Sequence, residues 1–434
     1  MTITITVPSY EVPIVDDVDV LVVGGGVAGI AAAVCASRGK AKTLLVERYA
    51  YLGGLVTGAM VLQMNDMCNE NEIVIAGIVD ELQNRLEKLG GLIKPESPDW
   101  FQSSEKLYKE WYWWGVLEKY GAQFPDRVIY RPIIDVESTK FACQQMLTES
   151  GVKVRLHSTF TKALVENNKC VGAIFFSKSG YYAIKAKIVI DATGDGDVFA
   201  SAGADYEKGI YLITTSHYIG NVDTETLRLF AEEYPNKFDE ISEEVRKIYG
   251  LSWRQWMFFT PDRSVVWCDC PHFIKKDGLN IEHLTEIEFE GRRRIWKALE
   301  YVKGNLPGFK NAYISKVGDQ TGVRQSRLLI GEYVLTMRDI NLKTRFKDSI
   351  GRGGKYTYPY RSLVPKTIDG LLVAGRHFSV KPHAQVYARE WPPCMVTGQA
   401  AGTAAALALA CNIEVREIDI NQLQRKLIEQ GVIL

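Results

Sequence analysis

The sequence predicts an α/β protein built on a parallel sheet, and three separate stretches support this. The first stretch holds an apolar strand at residues 20–23, a glycine turn, an alanine-rich helix at 27–37 and a second strand at 43–46. A strand, a helix and a strand in this order form a βαβ unit, whose two strands lie parallel in one sheet. We therefore expect the sheet to begin here.

The two other stretches lie far along the chain. Alternating apolar residues between 152 and 190, with turns at Asn167-Asn168 and Ser179-Gly180, predict an antiparallel meander that returns to a core strand. A buried-strand pattern at 370–374 is followed, after a loop, by a helix of small residues at 395–410. One domain is therefore expected to be assembled from distant parts of the sequence.

The intervening sequence predicts an inserted α+β part. Residues 71–120 show helical periodicity and end in an aromatic run that includes Trp111, Trp113 and Trp114, and residues 205–315 mix short strands with charged helices. We expect the sheet domain to comprise residues 1–60, 125–205 and 316–434, and the substrate or cap domain to comprise residues 61–124 and 206–315.

The amino-acid composition argues against several classes of function. The 434 residues carry 52 basic and 52 acidic side chains, so the chain lacks the basic field with which proteins bind nucleic acid. The eight cysteines are scattered, which favours a reducing compartment over a disulfide scaffold. Residues 1–19 lack a basic segment followed by an apolar run, and the longest apolar stretches are short or interrupted by glycine. These features predict a cytoplasmic protein without membrane or nucleic-acid partners.

A glycine motif follows the first strand. Its pattern is G-x-G-x-x-G, and it opens the first helix, where the glycines permit a tight turn and the helix N-terminus can hold a pyrophosphate. Glu47 closes the second strand, about 20 residues further on, where a carboxylate can accept ribose hydroxyls. The pattern predicts a dinucleotide-binding turn. The predicted contact residues of this turn are Gly24, Gly26, Val27, Ala28 and Gly29.

Further turns indicate which dinucleotide binds. After Arg48, a second glycine cluster containing Gly53, Gly54 and Thr57 is suited to lying along a large flat ring, which a nicotinamide cofactor would not need. A helix N-terminus can also stabilise negative charge on a reduced flavin. The sequence therefore predicts FAD rather than NAD. Additional cofactor-facing residues are expected at Thr193, Gly194, Asp195, Gly375, Arg376, Thr397, Gly398 and Gln399.

These motifs carry a family resemblance. The stretches 19–47, 52–54, 191–197, 322–327, 358–363, 371–376 and 398–402 resemble the FAD-dependent oxidoreductase family, which is related to the fumarate reductase and succinate dehydrogenase flavoproteins. The resemblance implies a discontinuous Rossmann-like FAD-binding domain capped by a substrate domain. It also implies a main-chain contact to adenine at Phe160, while Arg324 is expected either near the cofactor or bracing a helix.

The sequence departs from related flavoproteins at two places. Many of them have Gly-Asp where this chain has Gly375-Arg376, and Gln325 stands where an acidic residue is common. A second G-x-G-x-x-G unit and a C-x-x-C pair are missing from the sequence. An internal NADPH domain with a disulfide relay is therefore disfavoured, and electrons are expected from the substrate or from an external donor.

Candidate catalytic residues lie in the loop before the last long helix. His377 and His383 can exchange a proton near neutral pH, and Arg389 can hold a carboxylate or enolate through two hydrogen bonds. Lys381 and Glu390 belong to the same loop. The alternative is that the histidines bind loop backbone or line the flavin without reacting.

Two cysteine features allow competing interpretations. Cys268, Cys270 and His272 alternate along one segment, yet a fourth ligand at finger-like spacing is missing, so we expect buried thiols and no metal. Cys394 precedes the last long helix, where it is either a thiolate stabilised by the helix dipole or a small residue packed near the flavin.

The sequence as a whole predicts an FAD-dependent oxidoreductase that acts on a small polar organic substrate by hydride transfer to or from flavin N5. Three alternatives stay open: a flavoprotein subunit that passes electrons to a partner, an FAD enzyme of non-redox elimination or isomerisation, and a non-catalytic nucleotide-binding module. The expected partners are a small-molecule substrate and an external electron donor or acceptor, and the sequence is compatible with a homo-oligomer.

Overall fold

A computed structural model describes residue 5 and residues 9–117, 127–251 and 255–434. Residues 1–4 and 6–8 of the N-terminal stretch, and residues 118–120 of the stretch with helical periodicity, lie outside the described residues.

The first half of the chain supplies six strands of the central sheet. β1, β2, β5 and β8 run parallel, whereas β6, β7 and β8 form an antiparallel meander. The predicted βαβ unit and the predicted meander are both confirmed. In chain order the elements are β1 (Ile14–Val23), α1 (Val27–Arg38), β2 (Thr43–Val46), α2 (Leu55–Gly58), α3 (Ile78–Lys88), β3 (Leu92–Ile93), α4 (Glu105–Trp111), β4 (Ile133–Ile134), α5 (Val136–Glu149), β5 (Lys153–Arg155), β6 (Thr159–Glu166), β7 (Lys169–Ser177) and β8 (Gly180–Asp191).

The second half supplies a smaller part and then returns to the sheet. Its elements are α6 (Asp197–Ser201), β9 (Tyr206–Lys208), β10 (Ile213–Thr214), β11 (His217–Gly220), α7 (Thr224–Glu233), α8 (Pro235–Tyr249), β12 (Phe258–Phe259), β13 (Val266–Cys268), β14 (His272–Phe273), α9 (Ile281–Asn305), β15 (Tyr313–Val317), β16 (Gly322–Val323), β17 (Arg327–Leu329), α10 (Met337–Asn341), β18 (Ser349–Gly353), β19 (Tyr356–Pro359), β20 (Leu371–Val373), α11 (Pro382–Gln385), α12 (Trp391–Cys411) and α13 (Ile420–Glu429).

The long strand β8 joins the distant parts of the sheet. Its first half pairs with β7, and its last three residues pair in parallel with β20, where Leu371 lies opposite Val189 and Val373 opposite Asp191. The result is one seven-stranded sheet with the order β5-β2-β1-β8-β7-β6 and β20 beside the end of β8. The strands of a parallel sheet are buried on both faces, which accounts for the continuous apolar run at 20–23.

Helices α1 and α12 cover one face of the sheet in close contact. A Cβ atom on Gly398 would lie 2.1 Å from the carbonyl oxygen of Ala28, and one on Gly402 would lie 2.1 Å from that of Ala32. Only glycine fits at these two positions, which are four residues apart and share one helix face. By length and composition α12 could cross a membrane, but 78% of its apolar window is buried inside the protein.

The smaller part stands over the carboxyl ends of the parallel strands. It contains a four-stranded sheet, β12-β13-β11-β15, and a three-stranded sheet, β14-β10-β16. Trp113 is buried there and stacks on Phe259, with ring centroids 5.3 Å apart. Cys268 and Cys270 are also buried in this part. Helix α3, which belongs to the segment expected for the cap, packs instead against α5 and α12 of the sheet domain.

Candidate active site

A cleft opens at the carboxyl ends of the parallel strands. Its walls come from the residues that follow β1, β2, β8 and β20. Open α/β sheets bind ligands at this edge. The sequence positions predicted to bind a dinucleotide therefore converge where the fold can hold one.

The first glycine turn forms the floor of this cleft. Gly24 has a φ of +109°, and a Cβ atom there would lie 2.4 Å from the carbonyl oxygen of Ala192. Gly26 caps α1 without a side-chain hydrogen bond, while Val27 and Ala28 line the cleft. An uncapped helix N-terminus facing a cleft can bind a phosphate through its N–H groups. Gly29 lies behind the turn, where a Cβ atom would come within 1.9 Å of the Gly24 carbonyl oxygen.

Glu47 marks one end of the cleft. Its carboxylate accepts hydrogen bonds from the backbone N–H groups of Gly25 at 2.6 Å and Tyr49 at 2.8 Å. Burial raises the pKa of Glu47, although these two hydrogen bonds act in the opposite direction. Phe160 and Arg48 line the same cleft. This end therefore offers a fixed carboxyl group and an aromatic residue, which suit a ribose and an adenine.

The second glycine cluster lies against the first. The backbone N–H of Gly53 donates to the carbonyl oxygen of Gly25 at 2.8 Å, and a Cβ atom on Gly54 would lie 2.8 Å from the Cα atom of Gly26. The two turns thus form one backbone surface. Thr57 points away from it, because its buried hydroxyl donates to the Leu52 carbonyl oxygen at 2.6 Å.

The loops after β8 and β20 meet on the opposite wall. Thr193, Gly194 and Arg376 line the cleft, and a Cβ atom on Gly194 would lie 2.0 Å from Arg376 Nη1. Arg376 Nη2 donates to Asp195 Oδ1 at 2.8 Å, so Asp195 lies behind the wall as a partner of Arg376. Burial opposes the charged form of Asp195, but Arg376 and Arg48 outweigh it and lower the pKa of this carboxyl. Arginine thus occupies the wall position where related flavoproteins carry Gly-Asp.

The residues Thr397, Gly398 and Gln399 do not line the cleft. The helix predicted to begin near residue 395 begins at Trp391, because Pro392 and Pro393 occupy its first turn. The start of α12 therefore brings Trp391 and Cys394 to the cleft. Thr397 supports the wall from behind, since its Oγ1 accepts a hydrogen bond from the Gly375 N–H at 3.0 Å. Gln399 accepts from the Ile78 N–H at the start of α3.

The cleft fits FAD by two observations on its own atoms. At Gly26 the protein atom nearest to an added Cβ would lie 3.8 Å away, so the space beside this cleft residue is open to the backbone of a cofactor. Among the described residues, the buried Nε atoms of Arg376 and Arg389 have no hydrogen-bond partner in the protein, although both arginines line the cleft. Buried donors are normally paired, so a polar ligand in the cleft would satisfy them.

A second cavity adjoins the cleft. The two spaces share five wall residues, which are Leu55, Val56, Arg376, Arg389 and Trp391. The smaller part of the molecule closes the far side of this cavity. Its further lining includes Gln63, Asn65, Thr214, Ser216, Trp267, Asp269, Arg324 and Glu390.

The second cavity contains two pairs of oppositely charged side chains, Arg324 with Asp269 and Arg389 with Glu390. Arg324 Nη2 donates to Thr214 Oγ1 at 2.8 Å and to Asp269 Oδ2 at 3.0 Å. Burial disfavours the Asp269 carboxylate, but Arg324 outweighs it, and the pKa of Asp269 is lowered. Arg389 Nη2 lies 3.0 Å from Glu390 Oε1. Arg324, which the sequence left between a cofactor role and a bracing role, therefore faces the second cavity rather than the cleft.

The three predicted catalytic residues do not come together. Arg389 lines both spaces. His377 is buried behind the wall, where its Nε2 lies 3.1 Å from Asp191 Oδ1. His383 is exposed beside Tyr387. Within the described part of the chain, histidine lines neither space, so the loop histidines are not positioned to exchange a proton with a ligand there.

Several wall residues were not predicted from the sequence. These are Tyr49, Ser158, Gln320 and Trp391, whereas Cys394, which also lines the cleft, agrees with the alternative of a small residue packed near the flavin. The Pro-Pro pair after Trp391 is a helix-start signal that would have moved the predicted helix start and its wall residues. Burial raises the pKa of Cys394 to about 12, so this residue is a thiol and not the thiolate considered from the sequence.

Comparisons with known proteins agree with this geometry. The family model described as FAD dependent oxidoreductase matches residues 19–357 and 352–427. No curated protein matches the sequence. A geranylgeranyl bacteriochlorophyll reductase-like protein from Thermoplasma acidophilum is 17% identical, with a TM-score of 0.49 over 96% of this chain and 84% of that chain.

Two further solved structures are similar at comparable levels. A p-nitrophenol 4-monooxygenase from Pseudomonas putida is 12% identical, with a TM-score of 0.48 over 95% of this chain and 84% of that chain. A triple mutant of a flavin-dependent brominase is 12% identical, with a TM-score of 0.50 over 95% of this chain and 84% of that chain, which indicates a shared fold. The family model spans most of the sequence, and its cofactor matches the geometry of the cleft. This α/β chain, with its Rossmann-like FAD domain, belongs to the FAD dependent oxidoreductase family.

Proposed function

We propose that this enzyme transfers a hydride between flavin N5 and a carbon atom of a small polar organic substrate held in the second cavity. The observation that carries the proposal is the shared wall: five residues belong to both the cofactor cleft and the second cavity. A ligand in the second cavity therefore lies next to whatever occupies this end of the cleft.

Different residues of the cleft suit different parts of FAD. Val27 and Ala28 would hold the pyrophosphate through the helix N-terminus, Glu47 the ribose and Phe160 the adenine. Leu55 and Val56, after the second glycine cluster, would lie along the flat ring together with Trp391. FAD supplies the two-electron redox chemistry when it is bound, and the protein orients the substrate and excludes water.

Substrate polarity follows from the charged groups of the second cavity. Arg324, Arg376 and Arg389 line it from three different segments, together with Asp269 and Glu390. Guanidinium groups bind carboxylates and enolates through two parallel hydrogen bonds. Trp267 and Trp391 supply apolar area between these charges. A compact molecule with at least one anionic group suits this lining.

An anaerobic visible spectrum tests the proposal directly. The purified holoprotein is mixed with hydroxy acids, sugars, amines and enoates, each class separately. Bleaching of the oxidised flavin bands by one class supports hydride transfer and identifies the substrate class. A flavin that no compound bleaches, but that these compounds reoxidise after chemical reduction, supports the reverse direction. A flavin that responds in neither direction contradicts the proposal.

The proposal extends to the electron partner, the cellular location and the oligomeric state of the enzyme. We propose that an external electron donor or acceptor completes the catalytic cycle, since the sequence lacks a second dinucleotide motif and a cysteine redox pair. We also propose a cytoplasmic location, in keeping with the scattered free cysteines. A homo-oligomer is compatible with this assignment.

A further inference from the structure

We propose that two copies of this chain associate through helix α9, with an exposed stripe of one copy packed antiparallel against the same stripe of the second copy about a twofold axis. This α9 stripe consists of four side chains, which are Glu282, Phe289, Trp296 and Lys303. The partner is a second copy of this chain, and the inference does not depend on the proposed function.

The α9 stripe lies on the outer side of a long helix. Its four residues follow one another at intervals of seven, which is close to two helical turns, so they share one face over roughly 32 Å. All four are exposed. The opposite face of α9 is buried, and Ile287 forms an apolar cluster there with Ile213 and Val323 of the sheet β14-β10-β16. This sheet therefore holds α9 in place and leaves the stripe open to solvent.

The two middle positions of the stripe are aromatic rings in contact with solvent. Phe289 is 77% exposed and Trp296 is 51% exposed. Rings of this kind usually bury most of their surface, because their burial is strongly favourable. Two exposed rings on one face of one helix indicate a contact site for another surface. The stripe therefore has an apolar centre that a partner would remove from water.

The two end positions of the stripe carry opposite charges. Glu282 lies in the first turn of α9 and Lys303 in the last turn. Within the described residues, neither of them forms an ion pair with its own chain, whereas other acidic residues of α9 do, such as Glu286 with Lys276 and Glu288 with Arg292. The stripe therefore presents a negative charge at one end and a positive charge at the other, which a partner with the reverse polarity would complement.

A second copy of the stripe has that reverse polarity when it runs antiparallel. If Phe289 lies at the height of Trp296 of the second copy, Glu282 lies at the height of Lys303, because both pairs of positions are centred on the same point of the helix. The twofold axis then forms each of these contacts twice. A parallel copy in register would instead place each charge against the same charge. The stripe is therefore self-complementary in the antiparallel arrangement, both in its rings and in its charges.

Two arginines lie nearest to the twofold axis, where like charges from the two copies approach each other. Each is already paired in its own copy, Arg292 with Glu288 and Arg293 with Glu290. A guanidinium group is also attracted to the face of an aromatic ring, and the rings of the second copy lie beside this centre. The central arginines are therefore compatible with the dimer, because each copy balances their charge internally.

Sedimentation equilibrium of the intact holoprotein tests the association. At micromolar concentration we expect a dimer of about 98 kDa, twice the 48.8 kDa of one chain. Phe289→Glu should raise the dimer dissociation constant roughly 100-fold or more, because it places a charge against an aromatic ring at two points of the interface. Ile428→Glu is the matched control, since Ile428 is 59% exposed on α13 and should leave the dimer unchanged. Circular dichroism and FAD content show whether each variant is folded.

Charge reversal tests the antiparallel arrangement itself. Glu282→Lys and Lys303→Glu should each weaken the dimer by about fivefold, because like charges then face each other at both ends of the interface. The double variant that carries both changes should associate as the wild type does, since every facing pair is opposite in sign again. A double variant that associates no more tightly than the single variants contradicts the antiparallel stripe.

The remaining outcomes decide between the dimer and other occupants of the stripe. A wild-type protein that is monomeric at micromolar concentration, or a Phe289→Glu variant that stays dimeric, overturns the proposal. Monomers that co-sediment with vesicles of anionic phospholipid would assign the stripe to a membrane surface instead. A dimer that is lost in Phe289→Glu, kept in Ile428→Glu and recovered in the double charge variant supports the proposal. None of these measurements uses a substrate, so they are separate from the test of the proposed function.

Discussion

The cofactor cleft and the second cavity share five wall residues, but glycine backbone forms the floor of the cleft whereas charged side chains contribute to the lining of the second cavity. The floor of the cleft is backbone: two glycine turns contact each other through Gly26 and Gly54, and Gly24 lies against the loop after β8. The second cavity is lined by five charged side chains among apolar and neutral ones, and they include the pairs Arg324 with Asp269 and Arg389 with Glu390. Backbone surfaces recognise a common cofactor, whereas side-chain pairs can change between enzymes to suit a particular substrate.

The strongest way to break the cleft alone is Gly24→Ala. The added methyl group would lie 2.4 Å from the Ala192 carbonyl oxygen, at a φ of +109° that alanine disfavours. Displacing this backbone costs about 1–3 kcal/mol. Since about 1.4 kcal/mol is a factor of ten, FAD affinity should fall by roughly tenfold or more. Titration of the apoprotein with FAD, followed by fluorescence quenching, measures this loss.

Gly203→Ala is the matched control for that substitution. Gly203 has a φ of +91°, but a Cβ atom there would meet nothing within 4 Å. It therefore reproduces the backbone strain without the close approach. Equal FAD affinity for the two variants would contradict the role of the Gly24 turn.

Arg324→Gln should affect the second cavity and leave the cleft intact. The substitution removes the cation that lies 3.0 Å from Asp269 Oδ2, and the uncompensated carboxylate costs about 1–3 kcal/mol of stability. We expect FAD content to match the wild type while KM for a reducing substrate rises. Arg293→Gln, on the exposed side of α9, should change neither quantity. Loss of FAD from the Arg324→Gln variant would show that a change in the second cavity also impairs cofactor binding in the cleft.

A smaller effect is expected where α12 supports the cleft from behind. Thr397→Val removes the hydroxyl that accepts from the Gly375 N–H at 3.0 Å and donates to the Cys394 carbonyl oxygen at 2.8 Å. We expect a loss of about 1 kcal/mol in the free energy of unfolding and a modest loss of FAD affinity. Thr397→Ser keeps the hydroxyl and should restore both. Identical unfolding curves for Thr397→Val and the wild type would rule out this supporting role.

The smallest expected effect concerns the cysteine on the shared side of the cleft. Burial raises the pKa of Cys394 to about 12, so the reactive thiolate is scarce at pH 8. Iodoacetamide at that pH should alkylate the exposed Cys411 well before Cys394, as mass spectrometry of peptides can measure. Preferential labelling of Cys394 would instead support a thiolate stabilised by the helix dipole.

Much of the cleft could be predicted from the sequence because its signals are local. Gly24, Gly26 and Glu47 occur in one βαβ unit, so a pattern of spacing and strand position is enough to identify them. The strand pattern at residues 370–374 likewise predicts Gly375 at a strand end, and the structure places it just after β20. A helix start predicted near residue 395 places Thr397, Gly398 and Gln399 at the cleft, whereas the proline pair after Trp391 marks the true start of α12 one turn earlier.

The second cavity could not be predicted in the same way. Asp269 and Arg324 are 55 residues apart in the sequence, and Asn65 and Glu390 are 325 apart. Periodicity and motif spacing contain no information on such pairs, since the tertiary fold alone brings them together. The sequence favours His377 and His383 as proton carriers because histidine can exchange protons near neutral pH, but the fold buries His377 beside Asp191 and leaves His383 exposed, away from both spaces.

The pairing of β20 with β8, and of α12 with α1, has a consequence for biosynthesis. When the first 370 residues have been synthesised, the strand at Leu371–Val373 and the helix at Trp391–Cys411 are still missing from the nascent chain. The glycine floor then exists without the wall formed by Gly375 and Arg376. N-terminal segments fold first during translation, and contacts between distant residues form slowly. We therefore expect cofactor loading to follow the synthesis of the segment that carries β20 and α12.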